Sequence, residues 1–348
     1  MNILFTYYNH PTLSNIPRSL MTSLRKNGHT VITAGKSDGL ATEKLTIECS
    51  TNSVSLLDIL KKVKIKIDWV FVCWPRNQFF VTHIEQSPVP TAVYAVDTHL
   101  PLVYHWLRGY VQLFDVIFSA QKNFIDNLQE YGHKKSYWLP FAADEKLYAK
   151  KKSRRNVLVS FVGTTNPIHN PKRSIYFAQL KKKFPFKIMN LYGKEMTHLY
   201  CQTQIIFNTS VTNDLNARVF EAMAGGALLV TPAYQQGLLE LFDANIHLVT
   251  YTTITDAIRK TQHYLSQDAK REKIAKMGKK LVWRKHMYQN RADEIIKILK
   301  NHHFQKKTKI DWEQVRFSYL LLGLKKQSAM TKFFMIQNSC HSKAEIIC

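Results

Sequence analysis

The feature that most constrains this chain is an alternation of short apolar runs with amphipathic stretches, which occurs twice and is interrupted by one sharply polar segment. From the start to about residue 140, NILFTYY, HTVITA, DWVFVCW, TAVYAVD, FDVIFSA and SYWLP have the length and content of buried strands. Residues 18–27, 54–63 and 122–131 between them carry apolar side chains at helical spacing. Strand followed by helix, repeated, predicts a parallel sheet covered on both faces. The run KKKSRRN at 150–156 then reads as a linker. The pattern restarts with NVLVSFVG, FKIMNLYG, TQIIFNTS, GALLVTP and ANIHLVTY, with helices over 216–224, 255–264 and 269–283. The expected organisation is a domain over 1–150, a second over 151–285, a crossover helix over 286–302 bracing the first domain, and a basic tail over 303–348. Both domains are Rossmann-like, and in open α/β sheets ligands bind outside the C-terminal ends of the strands, here in a crevice shared by the two.

Composition narrows the class. The 348 residues suit two domains, and 45% hydrophobic with 12% aromatic content is enough for real cores. No apolar run reaches the roughly 18 residues of a membrane-spanning helix, and MNILFTYYNHP reads as a first buried strand, not a signal peptide. The odd, scattered set of five cysteines argues for a reducing compartment and against a disulfide frame or zinc site. The expected location is the cytoplasm. The net charge of +24 implies attraction to nucleic acid, anionic lipid or acidic glycans, including a peripheral position on the inner face of a membrane. A solvated surface with a phosphate-binding cleft explains the same number.

Three stretches carry chemistry. In NTSVTNDLNARVFEAMAGGALLVTP, Asp214 precedes a helix on which Arg218 and Glu221 share a face. A carboxylate can accept two ribose hydroxyls and a guanidinium can grip phosphate through two prongs, with Gly225 and Gly226 letting backbone approach a ligand. An ordinary surface ion pair is the plainer alternative. In SFVGTTNPIHNPKRSIYFAQL a strand ends at Gly163, and Lys172 and Arg173 fall in the first turn of a helix. Cations there oppose the helix dipole unless an anion is bound. Tyr192 and Gly193 end a further strand where backbone could meet a nucleobase. In VYAVDTHLPLVYHW, Asp97 and His99 follow a buried strand and could deprotonate an acceptor hydroxyl. Capping of the next helix by Asp97 is the structural alternative. Asn9 and His10, after the first strand, are candidate phosphate or acceptor contacts. The tail segment FQKKTKIDWEQVRFSYLLLGLKKQ surrounds aromatic and aliphatic residues with lysines, so it is either a helix docked on the body or an interfacial membrane helix.

DLNARVFEAMAGGALLVTP, the GLLELF after it, HMYQNRADEIIKIL, FVGTTNP with KRSIYFAQL, and YWLPFAADEKLY together resemble glycosyltransferases of the CgeB, or spore maturation, type. The resemblance spans most of residues 90–300. A more distant likeness, through Asp97, Leu100-Pro101 and Trp106 and through Arg218 to Glu221, is to bacteriophage DNA β-glucosyltransferase. These families imply an α/β GT-B fold and transfer of sugar from a nucleotide-sugar donor, a UDP-sugar in the first place, with no metal or other cofactor. They imply Glu221 on the ribose, Arg218 and Arg173 on the diphosphate, and Asp97 as general base. Large retaining GT-B families place an acid eight positions before the ribose glutamate. Asn213 stands there, beside Asp214, and this departure favours inversion. The acceptor stays open among glycan, lipid-linked intermediate, protein and DNA. The rivals are a non-catalytic nucleotide-sugar or nucleic-acid binding protein and a nucleotide-sugar epimerase.

Overall fold

The computed structural model describes residues 1–323 apart from 13–14, 42, 150–152, 167–169 and 303–309. The chain begins with β1 (Asn2–Asn9), α1 (Asn15–Lys26), β2 (Thr30–Ser37), β3 (Ile47–Glu48), β4 (Ser53–Ser55) and α2 (Leu56–Leu60). It continues with β5 (Trp69–Cys73), β6 (Phe80–Thr82), β7 (Thr91–Ala95), α3 (Pro101–Tyr110), β8 (Val116–Ser119), α4 (Lys122–Glu130) and β9 (Ser136–Trp138). Seven of these strands form a parallel sheet in the order β3-β2-β1-β5-β7-β8-β9, while β4 and β6 pair separately. Strand order runs outward in both directions from β1, which creates a topological switch point between β1 and β5.

Every residue of β5 and β7 is buried, which is why these strands read as apolar runs without alternation. Period two still sorts their faces. Val70, Val72, Val93 and Ala95 pack with Trp106, Leu107 and Tyr110 of α3 and with Phe124 and Leu128 of α4. Phe71, on the other face, stacks on Phe5 at 5.3 Å and meets Phe118 at 6.2 Å.

The second half comprises α5 (Glu145–Tyr148), β10 (Val157–Val162), α6 (Pro171–Lys181), β11 (Phe186–Met189), α7 (Gly193–Gln202), β12 (Thr203–Phe207), α8 (Ala217–Ala224) and β13 (Leu228–Pro232). It ends with α9 (Leu238–Leu241), β14 (Val249–Tyr251), α10 (Ile254–Ser266), α11 (Asp268–Lys285) and α12 (Tyr288–Lys300), after which α13 (Trp312–Gly323) closes the described chain. The parallel sheet β11-β10-β12-β13-β14 has its switch point between β10 and β12. The strand expected over ANIHLVTY shortens to β14, because 243–248 form a turn with Asn245 at φ 64°. Neither α3 nor α7 was marked as a helix by apolar periodicity.

Two compact units result. One holds Met1–Pro17, Gly28–Trp138 and the described residues from Asn301 on, and the other holds Arg18–Asn27 and Leu139–Lys300. The later part of α1 therefore counts with the second unit. Ser19 Oγ donates to Asp144 at 2.6 Å, Lys26 pairs with Glu145 at 2.9 Å, and Asn27 Nδ2 donates to Asp293 at 2.7 Å. The helix expected to brace the first domain, α12, also lies in the second unit. Its buried Arg291 donates to the Pro140 carbonyl at 2.7 Å and to the Phe141 carbonyl at 3.1 Å. Of the expected linker, 150–152 lie outside the described residues. Arg155 is anchored, donating to the carbonyls of Tyr200, Thr203 and Gly225.

Residues 312–323 of the expected tail form α13, and this helix is docked in the first unit. Val315, Leu321 and Leu322 join its core, and Tyr319 meets Phe80 and Tyr110 at 6.2 Å and 6.3 Å. Gly109 permits the approach: a Cβ there would stand 2.2 Å from Ser318 Oγ and 2.3 Å from the Gln314 carbonyl oxygen. Val315, Leu321 and Leu322 of the apolar set offered as an interfacial membrane surface are thus covered by protein, while Trp312 and Leu320 stay exposed. The rest of the tail, 303–309 and 324–348, lies outside the described residues. No helix among the described residues is long and apolar enough to cross a membrane.

Candidate functional site

In the second unit, the ends of β10 and β12 at the switch point are joined by two arginines. Arg218, in the first turn of α8, donates through Nε to the Val162 carbonyl at 2.7 Å and through Nη1 to Asn208 Oδ1 at 2.5 Å. Arg173, in the first turn of α6, donates to the Thr164 carbonyl at 2.7 Å and to the Thr209 carbonyl at 3.2 Å. Both guanidiniums lie over Phe161, at 4.2 Å and 5.0 Å from the ring centroid. Burial, with Arg218 adding to it, lowers the Arg173 pKa to about 10. Gly163 follows β10 at φ 146°, and a Cβ there would fall 2.5 Å from Arg218 Nη2. Only glycine lets the strand turn away beneath that guanidinium.

One helical turn beyond Arg218, the Glu221 carboxyl is half-buried among Arg218, Tyr200 and Tyr148. Burial raises its pKa to about 7, opposed by Arg218. A carboxylate placed where water solvates it poorly gains from any ligand that brings two hydroxyl donors. Asn208 extends the network by donating to Thr231 Oγ1 at 2.9 Å, and Gln235 Nε2 donates to the Asp214 carbonyl at 2.7 Å.

The other residues expected here are distributed differently. Arg173 is turned inward at 5% exposed, so of the two first-turn cations of α6 only Lys172 faces solvent. The Asp214 carboxylate is buried and accepts the Val211 and Thr212 amides, closing its own loop. Gly225 and Gly226 both meet Arg155. They sit at the far end of α8, where Arg155 donates to the Gly225 carbonyl at 2.7 Å and a Cβ on Gly226 would stand 2.8 Å from Arg155 Nη2. Tyr192 is 46% exposed, and Gly193 begins α7 at φ 53°.

In the first unit, residues at the ends of β1, β2, β5 and β7 gather at the other switch point. Asn9 is fully buried and its amide nitrogen donates to Ser37 Oγ at 3.1 Å and to the Glu43 carbonyl at 2.7 Å, so it pins the loop. His10 accepts the Thr12 amide at Nδ1, 3.2 Å away, and presents Nε2 to Asp38 at 4.0 Å. Tyr8 donates to the same carboxylate at 3.1 Å. The Leu40 amide, chiefly, holds the Asp38 pKa below the ordinary range.

After β5, Trp74 takes φ 52° and Arg76 lies over its ring at 4.5 Å. Burial lowers the Arg76 pKa, against the pull of the Asp97 carboxylate. After β7, Asp97 takes φ 63°, a left-handed conformation uncommon outside glycine. It does not cap α3, whose N-cap residue is Leu100. Thr98 holds the loop down by donating to Gln121 Oε1 at 3.1 Å, and His99 beside it is half-buried. Sequence reasoning missed Arg76, Trp74 and Asn208. The visible signals were a Trp-Pro-Arg directly after a buried strand and a polar amide directly after TQIIF.

Residues 174–297 match the family described as "Glycosyl transferase-like". No curated protein matches the chain in sequence. Among solved structures, an Anabaena HepE in complex with UDP and glucose superposes with a TM-score of 0.65 at 12% identity, over 87% of this chain and 100% of that one. An alpha-glucosyltransferase in complex with UDP-glucose and DNA containing an abasic site gives 0.61 at 13% identity, over 86% and 100%. A putative UDP-N-acetylglucosamine 2-epimerase from Listeria monocytogenes gives 0.56 at 11%, over 88% and 98%. The DNA-bound neighbour is thus an α enzyme, where the distant sequence likeness pointed to a β one. The fold is that of GT-B glycosyltransferases, and fold and family match together make the chain a glycosyltransferase.

Proposed function

We propose that the chain transfers a sugar from a UDP-sugar to a hydroxyl acceptor, in the manner of the CgeB-type enzymes it resembles. The observation that carries the reading is the pairing, on one helix, of Arg218 at the β10–β12 switch point with the half-buried Glu221. Glu221 accepts the ribose hydroxyls. Arg218 sets positive charge where the diphosphate leaves, assisted by the N-terminus of α8 and by exposed Lys172. Two UDP-bound neighbours of the same fold support the nucleotide. No divalent metal is invoked, so turnover is expected to survive EDTA.

Asp97 takes the acceptor proton as the acceptor oxygen attacks the anomeric carbon and UDP leaves, with the Arg76 guanidinium as its charge partner. This makes the reaction an inversion, so a β-linked product is expected from an α-linked UDP-sugar. A retaining reading is favoured by the α-glucosyltransferase neighbour, and the anomeric configuration of the product, read by NMR, decides between them. The acceptor is a glycan, lipid-linked intermediate, protein or DNA hydroxyl, DNA being the molecule bound by that neighbour.

The direct experiment incubates the protein with single UDP-sugars and GDP-mannose and follows nucleoside diphosphate release, with and without Glu221→Ala. Release from one donor, lost in the variant, supports the assignment, whereas unchanged donor affinity in Glu221→Ala removes Glu221 from the ribose. The same mixtures analysed for an epimerised sugar test the reading favoured by the epimerase neighbour.

A further inference from the structure

We infer that the solvent face of α11 binds the phosphate backbone of nucleic acid. Five cations, Lys270, Lys273, Lys276, Lys280 and Arg284, are spaced three, three, four and four residues apart, and all five are exposed. That spacing puts them along one side of the helix, opposite buried Ile274, Ala275, Gly278 and Val282. From Lys270 to Arg284 the line is about 21 Å long, with one charge per roughly 5 Å.

A merely solvated helix face would mix signs. Like charges at these spacings each cost a few tenths of a kcal/mol, about 0.2–0.5 per pair, and cations in the first turns also oppose the helix dipole. Other helices of this chain relieve such terms: Asp256 of α10 pairs with Arg259 and Lys260 at 2.8 Å, and Lys122 of α4 pairs with Asp126 at 3.0 Å. On α11, Asp268 is taken by Arg271, whose guanidinium is turned inward, and exposed Glu272, the one other acid of the helix, acts on Arg155, so five exposed cations outnumber the acids beside them. Among the described residues, none of the five cations makes an ion pair. The helix is also held rigidly: a Cβ on Gly278 would stand 2.2 Å from the His247 carbonyl oxygen, so α11 lies directly on the protein body. A fixed row of cations needs no ordering when a row of anions meets it.

The shape of the charge selects the partner. A membrane presents a plane of headgroups and would engage neighbouring α10 as well, but exposed Thr255 and Gln262 there carry no charge and Arg259 is already paired. No exposed apolar wedge accompanies the row beyond Met277, since Trp283 and Leu281 are half-buried and Trp283 Nε1 is tied to the Ala224 carbonyl at 3.2 Å. An acidic polysaccharide spaces its charges by whole sugar residues. A nucleic-acid strand offers one phosphate per about 3.4 Å of axis, enough to give every cation a partner. The inference rests on α11 alone and holds whatever the transferred sugar or acceptor.

The test measures polarisation of a short fluorescein-labelled DNA duplex against salt, comparing wild type with Lys273→Gln/Lys276→Gln/Lys280→Gln and with Lys181→Gln/Lys182→Gln/Lys183→Gln. The second triple removes the same charge from exposed positions at the end of α6. The α11 triple is expected to lower the slope of log affinity against log salt by about 2.7 and to weaken binding about 10²- to 10³-fold near 0.1 M salt, leaving UDP-sugar hydrolysis unchanged. The α6 triple is expected to bind nearly as wild type. Equal loss in both triples, or no loss in the first, overturns the inference. So does tighter binding, dependent on the α11 lysines, to phosphatidylglycerol-containing vesicles or heparin than to the duplex.

Discussion

Arg173 and Arg218 lean on the same phenylalanine, 5.0 Å and 4.2 Å from the centre of Phe161, and each ties the end of β10 to the segment following β12. Two like charges this close are tolerated because carbonyl and amide oxygens solvate each guanidinium, while the Asp214 carboxylate acts on Arg173 and Glu221 on Arg218. The exposures differ, however, and so should the consequences. Arg173→Met should cost about 2–4 kcal/mol of stability by leaving two inward carbonyls without donors, with little change in UDP affinity once folded. Arg218→Lys keeps the charge and loses the fork, so UDP affinity measured by calorimetry should fall about tenfold or more. The reverse pattern would exchange their roles.

Glu221 makes a pH prediction. Its folded-state pKa of about 7 lies above the usual 4.5, so the folded protein holds a proton that the unfolded chain releases. Stability is therefore lost as pH rises from about 4.5 to 7 and is constant above, by an amount of order 1–3 kcal/mol. Glu221→Gln should flatten this part of the melting-temperature profile. UDP binding by wild type should strengthen as pH rises through about 7, because the ionised carboxylate accepts both hydroxyls, and the variant should lack that rise.

His286 makes the opposite one. Burial, then Arg291, pushes its pKa down to about 3. The unfolded chain takes up its proton as pH falls below about 6.5, so this stabilising contribution is full above that pH and is lost progressively towards pH 3. His286→Phe, packed between Phe220 and Phe242, should make acid unfolding less steep.

Asp97 is held in a left-handed conformation that a side chain resists. Asp97→Gly should raise stability by up to about 1 kcal/mol while removing the base, and Asp97→Asn should lower turnover about 10²- to 10⁴-fold at nearly unchanged donor affinity. A variant with near-normal turnover would end the general-base assignment.

Gly163→Ala should destabilise by about 1–3 kcal/mol, since its φ of 146° excludes a side chain and its Cβ would displace Arg218. Donor affinity should fall with it, and a melt paired with UDP titration checks both.

Parallel-sheet architecture was legible because buried strands such as β5 and β7 are apolar but for Thr91, so they stand out without a partner. The helix carrying Arg218 and Glu221 was legible for a related reason, its two charges sharing one face. What could not be read was direction. Arg173 and Lys172 are adjacent and chemically alike in sequence, yet one turns inward to carbonyls contributed by loops far along the chain. Gly225 and Gly226 advertised backbone access, but their neighbour is Arg155, about 70 positions earlier. Arg76 came within reach of Asp97 only when β5 and β7 paired, a contact that no local pattern encodes.

The placement of α13 over Gly109 has a consequence for biosynthesis. The first unit keeps an open apolar face on α3 until residues 312–323 have been made, and the second needs a helix synthesised among the first residues of the chain. Neither can complete itself as a finished piece leaving the ribosome. The nascent protein must hold exposed α3 surface in waiting through nearly the whole of translation, so a ribosome stalled before that last helix would release an aggregation-prone chain in place of a functional amino-terminal domain.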